Sequence, residues 1–142
     1  MIPTIGISLT ENALSGGSGP TLGIEIVENG YFNKGDLDWV GMNVVDGVAN
    51  TIDTTGTQVI STTNTSKYQV TFTADAKGVV PQLAMQNGNV TPGTVLLTIG
   101  PTGNGMLPYS GTFTAIGPES IIVLSNGSNT ALWDNISIKE VL

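Results

Sequence analysis

Eleven carboxylates and not one histidine set the chemistry open to this 142-residue chain. Two pairs of acids stand close in sequence, Glu25 with Glu28 and Asp36 with Asp38. A glycosidase needs two carboxyl groups set across a cleft, so such pairs call for inspection. Asp36 and Asp38 fall in "GDLDW", where Asp has the composition of a turn residue. Without His the commonest general base and transition-metal ligand is missing, and no His-based triad can be built. Without Cys there is neither disulfide nor thiol chemistry. The Gly-rich "GPTGNG" opens no helical pattern, so it is not a phosphate loop. Enzymatic activity is not expected, and no cofactor is required.

The charge balance narrows the partners. Four Lys, no Arg and a formal net charge of −7 leave no basic footprint for a phosphate backbone, so nucleic acid is not an expected partner. No run of about 18 apolar residues occurs that would suit a membrane span. The first residues lack the basic-then-apolar pattern of a Sec-type signal. Charged residues make up 11% of the chain, against about 25% in ordinary domains. Thr, Ser, Asn and Gly carry the polarity instead.

The elements that must position any site are short strands. "KYQVTFTAD" alternates cleanly, with Tyr68, Val70, Phe72 and Ala74 on one face and Gln69, Thr71, Thr73 and Asp75 on the other. "WVGMNVV" places Val40, Met42 and Val44 on one face, expected in the core, with Trp39 on the other. "LGIEIV", "TQVIST", "VVPQLAMQ", "TVLLTI", "SGTFTAI", "ESIIVLS" and the closing "ISIKEV" complete the series. Pro81 inside its run predicts an edge strand or a bulge. Turn clusters such as "NGNVTPG" and "SNGSN" separate the runs. Eight to ten strands without helical periodicity predict an all-β, antiparallel sandwich or barrel.

Residues 1–20 differ from the rest. Ile2, Ile5, Ile7, Leu9 and Leu14 precede "SGGSGP", a flexible linker by composition. The expected organisation is an N-terminal arm and linker over 1–20 and a β-sandwich over 21–142. Those five apolar residues are the expected partner-binding set, adding a strand to another sheet edge or chain.

Three stretches together resemble the carbohydrate-binding-module type of jelly roll: "NGYFNKGDLDW", "KYQVTFTADAKG" and "LWDNISIKEV". They occur in the family's order across residues 22–142. The resemblance implies a jelly-roll sandwich, and it extends to modules on the surface of bacteriophage virions. It implies that Asp134, just ahead of the last strand, lies near the N-terminal strand, where it either joins a structural calcium site with Glu25 or Glu28 or accepts backbone N–H bonds as a turn residue. It also places Phe32, Trp39, Tyr68, Phe72, Phe113 and Trp133 in the core. That leaves Tyr31 and Tyr109 as the aromatics for glycan contact, with Tyr109 packed beneath a turn as the competing reading. Two functions follow from the resemblance. One is a capsid decoration protein on the virion surface, bound to the major capsid protein or another virion protein and homo-oligomeric, with a trimer favoured. The other is a non-catalytic carbohydrate-binding module for host or glycan attachment on a tail or fibre.

Overall fold

The structure, a computed structural model, describes residues 19–50, 55–125 and 131–142. The expected arm residues Ile2, Ile5, Ile7, Leu9 and Leu14 lie outside the described residues. Eleven strands and no helix occur among those described: β1 (Leu22–Glu25), β2 (Asn33–Asp36), β3 (Asn43–Val45), β4 (Val48–Asn50), β5 (Thr55–Ser61), β6 (Lys67–Asp75), β7 (Gln82–Asn87), β8 (Val95–Ile99), β9 (Leu107–Thr114), β10 (Glu119–Ser125) and β11 (Leu132–Val141). They form two antiparallel sheets, packed as a sandwich. One runs β9-β6-β11-β4-β3, with β1 also paired to β11, and the other runs β5-β10-β7-β8. The all-β, antiparallel expectation holds.

Strand β6 shows why the sheets face each other. Its period-two pattern sends Tyr68, Val70, Phe72 and Ala74 inward, all nearly inaccessible to solvent. Phe113 on β9 lies opposite Tyr68 in register, and their rings stack at 5.3 Å. Phe72 lies opposite Tyr109 and meets it at 5.5 Å, while Trp133 of β11 approaches the same Phe72 ring at 5.7 Å. The second sheet supplies Ile60, Leu83, Met85, Ile122 and Leu124 from its inner face.

Two expectations need correction. Val40 is 71% exposed, whereas Trp39 and Met42 are buried. Asp38 (φ 70°) and Gly41 (φ 79°) both take left-handed backbone, so "DWVGM" turns where a continuous strand would alternate. At Gly41 a side chain would also run into the Thr55 carbonyl, so only glycine fits. Second, β7 is neither at an edge nor bulged at Pro81. It lies between β10 and β8. Pro81 stands one residue ahead of the strand, buried, where its missing N–H interrupts no ladder.

The ring row across β9, β6 and β11 gives a direct test. Phe72→Ala should lower unfolding free energy by about 3–5 kcal/mol, from lost transfer energy plus the cavity left behind. A loss under about 1 kcal/mol in urea titration would mean that this face of β6 does not carry the core.

Candidate binding cleft

Inward alternation on three adjacent strands forces outward alternation on the same strands. Thr71 and Thr73 of β6 point away from the core, Pro108 and Ser110 of β9 lie opposite them in register, and Ser137 of β11 pairs with Thr71 from the other side. These residues floor an open cleft of about 730 Å³, joined by Asn135, Lys139 and the three aromatics Tyr31, Phe72 and Tyr109. That volume falls within the roughly 300–1,000 Å³ of small-molecule sites.

A β-bulge shapes one wall. The β11–β6 register shifts between Asp134 and Ser137, and Asn135 adopts φ 54°. A bulge re-aims side chains and frees a backbone group from the ladder. Here Asn135 turns toward the cleft, its Nδ2 donating to Thr73 Oγ1 at 3.0 Å. The N–H of Ile136 leaves the β6 ladder and donates to the Gly30 carbonyl at 2.9 Å. Any side chain at residue 30 would strike the Ile136 carbonyl, which accounts for glycine there. The bulge therefore pins the residue next to Tyr31.

The rest of that loop is braced from below. Asn29 donates through Nδ2 to the carbonyls of Gly35 and Leu37, and its Oδ1 accepts the Lys34 N–H. Trp39 Nε1 donates to the Asn29 carbonyl at 3.2 Å, and its ring lies 5.4 Å from Phe32. Buried Gln58, on β5 of the opposite sheet, accepts the Glu28 N–H at 2.8 Å and donates to the Glu28 and Asp38 carbonyls. Phe32 is buried in a left-handed conformation (φ 52°), a strained state for a bulky residue that only strong surroundings maintain. The consequence is that Phe32 points in and its neighbour Tyr31 stays out, 58% exposed.

The two sequence-predicted tyrosines thus line one cleft with different roles. Tyr31 presents an exposed ring. Tyr109 is half-buried, stacked on Phe72, and its hydroxyl accepts the N–H groups of Thr102 and Gly103 at 3.3 and 3.2 Å. It is an aromatic packed beneath the "GPTGNG" turn as well as part of the cleft. Thr71, Thr73, Ser110, Asn135, Ser137 and Lys139 were not singled out as site residues from the sequence. The available signal was the polar face of "YQVTFTA" taken together with that of "ISIK".

The acids expected at a calcium site are Asp134 with Glu25 or Glu28, and each has its own surroundings. Glu25 Oε1 accepts three backbone N–H groups, from Ile26, Val27 and Ile138, at 2.8–3.1 Å. Glu25 lies opposite Lys139 on β11, five residues from Asp134, on the order of 15 Å along the strand. Glu28 is tied through its backbone to Gln58. Among the described residues no group of three acidic side chains could hold a metal ion. Asp134 acts as a turn acceptor: its Oδ1 takes the Asn135 N–H at 2.8 Å.

Partial burial holds the Asp134 carboxyl above its ordinary 3.8, and the Asn135 N–H pulls it part of the way back. A raised value means that the folded chain holds this proton more tightly than the unfolded chain. The penalty on the charged form is absent below pH 3.8 and sets in as pH rises through the folded value. An amide can still accept the Asn135 N–H. Asp134→Asn should therefore gain slightly in stability at pH 7, the gain kept small because solvent screens a largely exposed carboxyl, and that gain should fade below pH 3.8. A gain of equal size at both pH values in denaturant titrations would refute the burial penalty.

Solved structures show what this fold resembles. A carbohydrate-binding module of family 4 (CBM4) matches with TM-score 0.67 at 15% identity, over 80% of this chain and 98% of that one. The fold is that of the carbohydrate-binding-module jelly rolls. The CBM22-1 xylan-binding domain from Paenibacillus barcinonensis Xyn10C matches with TM-score 0.61 at 9% identity, over 89% of this chain and 98% of the module. The enzymatically active domain of bacteriophage CBA120 tailspike protein 4 matches with TM-score 0.63 at 16% identity, over 83% of this chain but 22% of the tailspike chain. No protein-family model matches the chain, and no curated protein matches its sequence. The jelly roll expected from the sequence resemblance is the observed fold.

Loop bracing gives a second stability test. Gly30→Ala should cost about 1–3 kcal/mol, because the new methyl group meets the Ile136 carbonyl and the loop must shift. A thermal melt unchanged by this substitution would contradict the tight contact between loop and bulge.

Proposed function

We propose that this chain is a non-catalytic carbohydrate-binding module whose cleft over β9, β6 and β11 receives a short stretch of polysaccharide. The single observation that carries this reading is the exposed ring of Tyr31 standing beside a floor of hydroxyls. A pyranose has an apolar C–H face and a rim of hydroxyls. The first suits an aromatic ring held free of the core. The second suits Thr71, Thr73, Ser110, Ser137 and the Asn135 amide, which donate and accept in turn. The fold supports the same reading, since the modules it matches include one described as xylan-binding. Among the described residues no pair of carboxylates lines the cleft to act as the acid–base pair of glycosidic hydrolysis.

Location on a virion surface, as an attachment module of a tail or fibre, is a second reading. One observation favours it: a phage tailspike contains a domain of this fold. The expected role as a capsid decoration protein draws no support from the comparisons, and glycan binding accounts for the cleft where decoration does not.

Affinity electrophoresis and calorimetry against xylo-, cello- and galacto-oligosaccharides test the proposal. Binding should be detected for at least one series. Tyr31→Ala should weaken it about tenfold, equal to roughly 1.4 kcal/mol, with thermal stability unchanged because the ring is exposed. Equal affinity of the variant and the parent would place any sugar site elsewhere.

A further inference from the structure

Lys139 stands out against the charge of the whole chain. The chain carries 11 acidic residues and 4 Lys, yet among the described residues no carboxylate lines the cleft. Of the described residues that line it, Lys139 alone is charged. It shares the outward face of β11 with Ser137, and its register partners are Gln69 on β6 and Glu25 on β1.

Glu25 is the obvious counter-ion, and it is engaged elsewhere. Its Oε1 accepts three backbone N–H groups, those of Ile26, Val27 and Ile138, where the chain leaves β1 and meets β11. Glu140, the next acid along β11, falls on the opposite side of the pleat. No acidic group among the described residues forms an ion pair with Lys139. The half-buried Lys139 stem therefore holds an ammonium group at the cleft without neutralising it.

We infer that the cleft selects an anionic glycan, one carrying a carboxylate or sulfate group on the sugar that contacts Lys139. This rests on the glycan-binding reading above and names the class of sugar. An unpaired cation beside hydroxyl donors gains a charge-assisted hydrogen bond from such a group, stronger than the neutral bond a plain hydroxyl can offer. Repulsion from the acidic remainder of the chain would disfavour an anionic polymer elsewhere on the surface, so the preference is local to Lys139. Screening by salt is then a signature of the interaction.

The experiment measures binding of three probes by calorimetry: oligogalacturonate, a sulfated carrageenan oligosaccharide and a neutral β-galacto-oligosaccharide. The parent should bind one of the two acidic probes about tenfold more tightly than the neutral one, and which of them identifies the anion. Lys139→Gln should bring affinity for the preferred acidic probe down to that for the neutral one, and a preference that survives the substitution overturns the inference. Raising the salt from 0.05 to 0.5 M (values on the order of a Debye length from ~14 to ~4 Å) should reduce the acidic advantage alone. Neutral binding that depends on Tyr31, with no acidic preference, overturns the Lys139 inference and leaves the glycan-binding reading standing. Failure of all three probes, together with the neutral xylo- and cello-series, overturns both.

Discussion

Three rings in contact, Tyr109, Phe72 and Trp133, tie β9, β6 and β11 into one rigid floor. Aromatic pairs in this geometry add roughly 0.5–1.5 kcal/mol each beyond the area they bury. Their larger effect is on register. A strand shifted by one residue would turn its whole inward set to solvent, and a buried Trp beside a buried Phe makes that shift costly. With the inward residues fixed, the outward ones are fixed too. The hydroxyl-lined cleft is the reverse side of the aromatic core.

The bulge in β11 adds the other half of the site. It takes the Ile136 N–H out of the β6 ladder and gives it to Gly30. The loop following β1 is thereby drawn onto the sheet carrying the cleft, while Gln58 holds it to the opposite sheet. Between these anchors the backbone accepts left-handed conformations at Asn29 and Phe32. Such strain, held by hydrogen bonds on both sides, goes with a buried Phe32 and an exposed Tyr31.

How much of this could be read in the sequence differs element by element. The β6 alternation was plain, because each apolar residue there meets a full core and no turn interrupts the period. The "WVGMNVV" alternation misled, because Asp38 and Gly41 leave extended conformation and turn Val40 outward. The opening "WDN" of the last strand announced a special entry. Its meaning depends on contacts more than 60 residues away in sequence, from Asn135 to Thr73 and from Ile136 to Gly30. Glu25 was read as a candidate metal ligand because one of the three N–H groups that its Oε1 accepts, that of Ile138, lies 113 residues on. The resemblance placed six aromatics in the core and left Tyr31 and Tyr109, and both line the cleft. The hydroxyl floor was missed because a Thr or Ser on a strand face carries no mark of function until three strands are set side by side.

The most direct test maps the contact surface itself. Backbone and methyl NMR spectra of the chain, recorded during titration with a saccharide that binds, should show the largest shift changes at Tyr31, Thr71, Thr73, Ser110, Asn135 and Ser137. Residues on the outer face of β5, β10 and β7 should stay in place. Changes centred on that second sheet, with the β9–β6–β11 face silent, would contradict the account.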